Sequence, residues 1–348
     1  MPRPPSIAVD VMTSERGVNA VTTAVCAAAK RCPHVRFHLT GDRLIIEESL
    51  ESMHRLSWRS LNIEIHQADS VIQPHDDPVW ALRHRQESST HLALKLVRQG
   101  ICDAAVSCAN TGALAAFSRY CLKRISGVDK LAMVCSFPTS RKDRDVYVCD
   151  VGASFDSESK HLHDYARMMT AMLQTDSVRE SPRVALLNTG TELSKGNAVV
   201  RETSLLLNND NQINYVGYLE GHDIFSGQAD VIICDGFVGN CLLKTSEGTA
   251  NYVMSTIKQA CMKSFFTKVT GRILKNIIKN DAPSLNPSLR NGALILGLNG
   301  VVIKSHGNAD ILGIETAILT AIKASTSAYA RQLVPQYSNS RPTEEVPA

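Results

Sequence analysis

The sequence predicts an α/β fold: a doubly wound, mostly parallel sheet with helices on both faces. Two observations carry this. Short apolar runs rich in Val, Ile and Ala recur along nearly the whole chain, and segments with helical spacing separate most of them. Strand–helix alternation of this kind forces crossovers, which make neighbouring strands parallel and cover both sheet faces.

In order, SIAVDVM (6–12) reads as a strand and NAVTTAVCAAAKR (19–31) as a helix. VRFHLTGD (35–42) is a strand and turn, LNIEIHQA (61–68) an alternating strand, and SSTHLALKLVRQG (88–100) a helix closed by glycine. Residues 103–123 give strand, turn and helix. LAMVCSF and DVYVCDVGAS are two strands joined by a charged turn. HLHDYARMMTAML is a helix, PRVALLNTG a strand, KGNAVVRETSLLLNN a helix and INYVGYLEG a strand. ADVIICDGFVGN then leads from a strand into a long helix. GALILGLNGVVIKSHG looks like a hairpin, and a final helix follows from residue 309. No linker or repeat divides the chain, so residues 1–333 are expected to form a single catalytic domain, with 334–348 a disordered tail.

Composition excludes more than it identifies. With 44% hydrophobic and 20% charged residues, the chain has an ordinary soluble composition. A net charge of +3 is too small to argue for nucleic acid, and none is expected as a partner. No run approaches the roughly 18 apolar residues of a membrane span. The N-terminus runs straight into a strand, so no signal peptide and a cytoplasmic location are expected. None of the ten cysteines forms a C-x-x-C pair, and several sit in apolar runs. They read as buried free thiols, with no metal or other cofactor expected. His161 and His163 in HLHD fall on different helix faces and read as solvated surface.

Five strand ends carry unusual polar groups. These are Asn110, Thr111 and Gly112; Asp150 and Gly152; Asn188, Gly190, Lys195 and Asn197; Asp235, Gly236, Gly239 and Asn240; and Lys304, His306 and Gly307. Small residues let backbone amides approach a ligand, helix N-termini favour anions, and lysines add point charges for phosphate. Each turn alone can simply end a strand. Five on one edge of a sheet, at the carboxyl ends where α/β folds bind ligands, point to an anion site. No P-loop, dinucleotide fingerprint or nucleophile elbow is present. Asp10, Asp150 and Asp235 each follow a strand and are as well explained by caps and turn bonds.

Taken together, VDVM, VSCANTGAL, DVGAS, LLNTGTELSKGN, CDGFVGNCLLKTSEG and GALILGLNGVVIKSHGNAD resemble the phosphate acyltransferase family over about residues 6–330. The resemblance implies transfer of a fatty acyl group from acyl carrier protein to inorganic phosphate, giving an acyl phosphate for phospholipid synthesis. It also implies a phosphotransacetylase or isopropylmalate dehydrogenase-like fold, a homodimer, and a downstream glycerol-phosphate acyltransferase as partner. The chain departs from the family pattern at Thr13, Ser14 and Glu15, at Ala109, and at Ser154. Two other functions stay open: a short-chain phosphate transacetylase, and a non-catalytic paralogue that binds carrier protein or membrane.

Thioester attack by phosphate requires a positioned phosphate and donors for the oxyanion, with little acid help for a thiolate of pKa about 8.5. Lys195, Asn240 and His306 are the catalytic candidates. Asn110, Thr111, Gly112, Asn188, Gly239, Lys304 and Lys244 are candidates for binding phosphate or substrate; Lys244 also fits as a plain surface residue of its helix.

Residues 262–279 have a separate logic. Phe266 and Ile273 lie on an apolar stripe, and Lys268, Arg272, Lys275 and Lys279 fall beside it. One reading is a core-packed helix with a solvated face. The other is a surface for carrier protein or anionic lipid, with peripheral contact at the inner face of the membrane.

Overall fold

The structure, a computed structural model, describes residues 3–141, 144–175, 179–262, 271, 274 and 286–326. The apolar runs pair into one sheet. Its strands are β1 (Ser6–Asp10), β2 (Arg36–Gly41), β3 (Ile63–Gln67), β4 (Ala104–Ser107), β5 (Ala132–Phe137) and β6 (Val146–Cys149). They continue with β7 (Arg183–Leu187), β8 (Asn214–Leu219), β9 (Val231–Ile233), β10 (Ala293–Leu296) and β11 (Val301–Lys304). The order across the sheet is β3-β2-β1-β4-β11-β10-β5-β6-β9-β7-β8.

The helices are α1 (Val18–Arg31), α2 (Arg43–His54), α3 (Pro78–His84), α4 (Ser89–Arg98) and α5 (Thr111–Leu122). Then come α6 (Ser159–Thr175), α7 (Ala198–Asn208), α8 (Gly236–Cys261) and α9 (Ile311–Thr326). Two of these, α2 and α3, go beyond the sequence reading. Each starts at an aspartate: Asp42 Oδ1 accepts from the amides of Leu44 and Ile45, and Asp77 Oδ1 from those of Val79 and Trp80.

Alternation along the strands makes the sheet two-faced. In β1, Ile7 and Val9 join one core cluster with α1, α6 and α9, while Ala8 joins another with α4 and α5. In β11, Val301 and Ile303 go to the first cluster and Val302 to the second. This is the doubly wound arrangement expected from strands buried on both faces.

The strand directions correct one expectation. β3, β2, β1, β4 and β11 are parallel, as are β6, β9, β7 and β8. Between these blocks, β10 is antiparallel to both β11 and β5, and β5 is antiparallel to β6. The second block therefore runs opposite to the first. The strand ends of β4 and β11 lie on one edge of the sheet, and those of β6, β7 and β9 on the other. The five polar turns do not share one edge. Central strands of three to six residues, at roughly 3.3 Å per residue, nevertheless keep the edges close.

A second correction concerns HLHD. His161 is buried, and its Nδ1 accepts from the Glu158 amide at 2.9 Å. His163 Nε2 lies 2.9 Å from Asp210 Oδ2, which Arg167 also reaches. The pair is a packing feature of α6, not a solvated face.

Candidate functional site

Helix α8 connects the two sheet edges. It begins at Asp235, directly after β9, whose side chain accepts from the Phe237 amide and from the Ser157 amide. Its start is pressed against the loop after β6. A Cβ on Gly236 would lie 2.1 Å from the Ser154 carbonyl oxygen, and one on Gly239 would lie 1.9 Å from that of Asp150. Gly239 also uses its N–H inside the helix, donating to Asp235 O. These glycines are required by close backbone packing.

Asp150, at the end of β6, organises that loop. It is fully buried and accepts four amides, from Met133, Gly152 and Ala153 at Oδ1 and from Ser154 at Oδ2. Burial pushes its carboxyl up to about 6, against the pull of the four amides. Gly152, at φ 125°, packs against the side chain of Asn240; a Cβ there would lie 3.3 Å from Asn240 Cβ. Asn240, half-buried in the second turn of α8, is thus fixed against the Asp150 loop.

One turn later, α8 reaches the end of β11. Eight residues separate Gly236 from Lys244, a rise of about 12 Å. Lys244 Nζ lies 3.0 Å from His306 Nε2 and 3.0 Å from Glu247 Oε2. The Asn308 amide faces His306 Nδ1 at 3.2 Å. A neutral imidazole has one lone pair, so only one of these donors makes a full bond. Burial and then the Lys244 charge hold the His306 pKa below its ordinary value. Lys304 lies on the same edge, its ammonium donating to the Ser305 carbonyl and, at 3.5 Å, to Cys108 O. Desolvation lowers its pKa, and Lys244 adds to the effect. Lys244, Lys304 and His306 are therefore one electrostatic group.

The first loop completes this edge. Asp10 is buried and accepts hydroxyls from Thr13, Thr90 and Ser107 at 2.6–2.8 Å. The Glu15 amide donates to Gly307 O, and the Glu15 carboxylate lies against Gly307. Three of the five residues that depart from the family pattern are thus built into the site: Thr13 onto Asp10, Glu15 onto the His306 loop, and Ser154 onto Asp150 and Leu131.

The other candidates are placed differently. Asn110 caps its own helix, accepting from the Gly112 and Ala113 amides, and its Nδ2 donates to Pro74 O. The Gly112 amide is thereby already bonded, and Thr111 opens the same helix half-buried. Asn188 follows β7, which pairs with β9; its Oδ1 accepts from the Thr189 amide and its Nδ2 is buried with no partner among the described residues. Lys195 is exposed in that loop, its stem against Gly190. Among the described residues no hydrogen bond or ion pair joins it to Asn240 or His306. Phe266, Lys268, Arg272, Ile273, Lys275 and Lys279 lie outside the described residues.

Sequence reasoning missed Glu15 and Glu247. Glu247 stood in the quoted motif three residues after Lys244, a helical neighbour spacing. Glu15 stood out only as a departure from the family pattern, and nothing local showed that it meets the His306 loop. Three cysteines on β5, β6 and just after β9 are poor nucleophiles: burial pushes the Cys135 thiol up to about 12 and those of Cys149 and Cys234 well above their ordinary value.

The chain matches a family model described as "Fatty acid synthesis protein" over residues 6–332. A protein named phosphate acyltransferase from Shewanella sp. (strain MR-4) is 39% identical over 328 residues, 94% of each chain. Another of that name, from Legionella pneumophila (strain Corby), is 40% identical over 318 residues, 91% of this chain and 92% of the relative. Among solved structures, the EutD phosphotransacetylase from Staphylococcus aureus aligns with TM-score 0.55 at 15% identity, covering 93% of this chain and 94% of its own. A branched-chain phosphotransacylase from Enterococcus faecalis V583 aligns with TM-score 0.57 at 12% identity, covering 93% and 99%. At these identities the structural likeness shows the fold alone.

Proposed function

This chain belongs to the phosphate acyltransferase family, and on that premise we propose that it moves a fatty acyl group from an acyl carrier protein thioester to inorganic phosphate. The supporting observation is the meeting of Lys244 with His306 at 3.0 Å beside Lys304, across 62 residues of sequence. Two cations and an imidazole held neutral by burial and charge suit a dianionic nucleophile better than a neutral one.

In this reading Lys304 and Lys244 hold phosphate at the β11 edge. One phosphate oxygen attacks the thioester carbon and forms the new C–O bond. The carbonyl π pair moves onto oxygen, where the Asn240 amide donates. Collapse of that oxyanion breaks the C–S bond, and the sulfur leaves with its electron pair. The proton lost by hydrogen phosphate ends on the thiol, with neutral His306 as its relay. Products are acyl phosphate and the free carrier thiol. Lys195, one strand over from β9, adds positive charge at the opposite mouth, and Asn188, which lies against Gly196, shapes the loop that carries it. Asn110, Thr111 and Gly112 shape the near wall as a capped helix start, and Gly239 sets the position of Asn240.

Residues 1–333 act as one catalytic unit. The basic and apolar stripes around Lys268, Arg272, Lys275, Lys279, Phe266 and Ile273 are the surface for the acidic carrier or for an anionic membrane, supported by their charge pattern. Among the described residues no helix is long and apolar enough to cross a membrane. Exposed Tyr252 on the far part of α8 and Met262 just past its end support pairing with a second copy. The product passes to an acyltransferase that consumes acyl phosphate.

The test uses purified chain with long-chain acyl carrier protein. Free thiol and hydroxylamine-trappable acyl phosphate are measured together, with and without phosphate. Equal amounts of both, only with phosphate, are expected. Thiol release without trapped acyl group, at a rate indifferent to phosphate, would mean thioester hydrolysis instead.

A further inference from the structure

A second cluster lies on edge strand β3 and its neighbour β2, apart from the site above. In the β2–β3 pairing, His38 is opposite Glu64 and Thr40 opposite His66. Glu64 and His66 are two apart on β3 and so share a face, the one His38 also takes. Phe37, Leu39 and Ile65 point the other way, into the main core. The three polar side chains converge: His38 Nδ1 is 2.9 Å from His66 Nε2, His66 Nε2 is 3.5 Å from Glu64 Oε1, and His38 Nδ1 is 3.7 Å from Glu64 Oε2.

These distances suit two neighbouring nitrogen ligands of one metal ion with a carboxylate beside them. Zinc–nitrogen and zinc–oxygen bonds near 2.0–2.1 Å place two tetrahedral ligand atoms about 3.3 Å apart. The nitrogen–nitrogen distance of 2.9 Å needs to open by about 0.4 Å, and one ligand atom from each of the three residues lies within 4.8 Å of the other two. Two neutral imidazole lone pairs at 2.9 Å repel, so a proton or a cation must lie between them.

The surroundings also suit a metal. His38 is buried with its ring fixed by the sheet, His66 is mostly covered, and Glu64 is 58% exposed. Two sheet-borne nitrogens, one buried and one mostly covered, thus meet one exposed carboxylate. Two histidines and one carboxylate are a donor set zinc favours.

We propose that His38, Glu64 and His66 form a binding site for a divalent transition-metal ion, zinc in the first instance, which clips edge strand β3 to β2. The site is independent of the acyl-transfer reading, and no step of that reaction runs through it.

The test is zinc titration of the full chain by calorimetry, beside His66→Ala and Glu64→Gln, with cobalt(II) as a spectroscopic substitute. Glu64 is exposed, so Glu64→Gln keeps the fold even if His66→Ala disturbs it; thermal melts in chelator check both. The expected result is one zinc per chain, bound roughly 100-fold more weakly by His66→Ala and roughly 10-fold more weakly by Glu64→Gln. Cobalt should give four-coordinate visible bands without thiolate charge transfer. Absence of stoichiometric zinc overturns the proposal. So does zinc whose affinity neither substitution changes, or a cobalt spectrum showing thiolate ligation, either of which would assign the metal to cysteines.

Discussion

Replacing Gly239 with alanine tests how α8 is seated. The added Cβ would stand 1.9 Å from the Asp150 carbonyl oxygen and 2.9 Å from both Asp150 C and Cys234 Sγ. The first clash is with backbone, and the Asp150 loop is held by four amide bonds to its own carboxylate. The helix start must move instead. Overpacking of this kind costs about 1–3 kcal/mol, occasionally more, and a backbone clash belongs at the upper end. Against this, alanine in place of glycine in a helix interior gains about 1 kcal/mol. The net expectation is a loss of about 2 kcal/mol. Gly248, in the same helix, is the control: nothing lies within 4 Å of its would-be Cβ, so Gly248→Ala should keep the full gain of up to about 1 kcal/mol. Urea unfolding of both variants beside the parent reads the two signs. Moving the helix start also shifts Asn240 and Lys244, so Gly239→Ala should lower turnover by 10-fold or more while Gly248→Ala leaves it alone. Equal stability for the two variants would refute the close packing of α8 on the Asp150 loop.

Three further outcomes are expected. The Asp150 carboxyl is raised from 3.8 to about 6, so the folded state binds the extra proton between those values. Stability should therefore fall as pH rises from about 4 to about 6, by on the order of 3 kcal/mol, and Asp150→Asn should flatten that slope in melts across the window. Burial and then Lys244 depress the His306 pKa; Lys244→Ala should move its titration upward by NMR, and an unchanged midpoint would separate the two residues electrostatically. Buried Asp230 joins Arg144, Arg179 and Arg183, all within 3.1 Å, so Asp230→Ala leaves three guanidinium groups facing one another. A loss of about 3–5 kcal/mol in urea unfolding is expected.

Much of this molecule could be read from periodicity and turn chemistry. The strands, most helices and the polar strand ends follow from local pattern, because burial on both faces writes continuous apolar runs. Strand direction follows only in part. The GALILGLNGVVIKSHG hairpin sets β10 against β11, but nothing local to Cys135 says that β5 runs against both β10 and β6, and these reversals together move the β6, β7 and β9 turns to the opposite edge. The glycines of CDGFVGN were visible, but their reason was not, since Gly239 is fitted to a carbonyl 89 positions earlier in the chain. Lys244 reads equally well as a surface residue until His306 is brought to it. His38 and His66 stand 28 residues apart in two separate strands and form no motif; only the β2–β3 register joins them. His161 looked solvated because a two-residue histidine spacing says nothing about which helix face the core takes.

The most direct test of the central claim is the phosphate dependence of thiol release from long-chain acyl carrier protein, measured for the parent chain and for Lys244→Ala. Release should saturate with phosphate, and Lys244→Ala should raise the phosphate KM at least tenfold while carrier-protein binding is retained. A rate independent of phosphate, or an unchanged phosphate KM in the variant, would contradict the placement of phosphate between α8 and the end of β11.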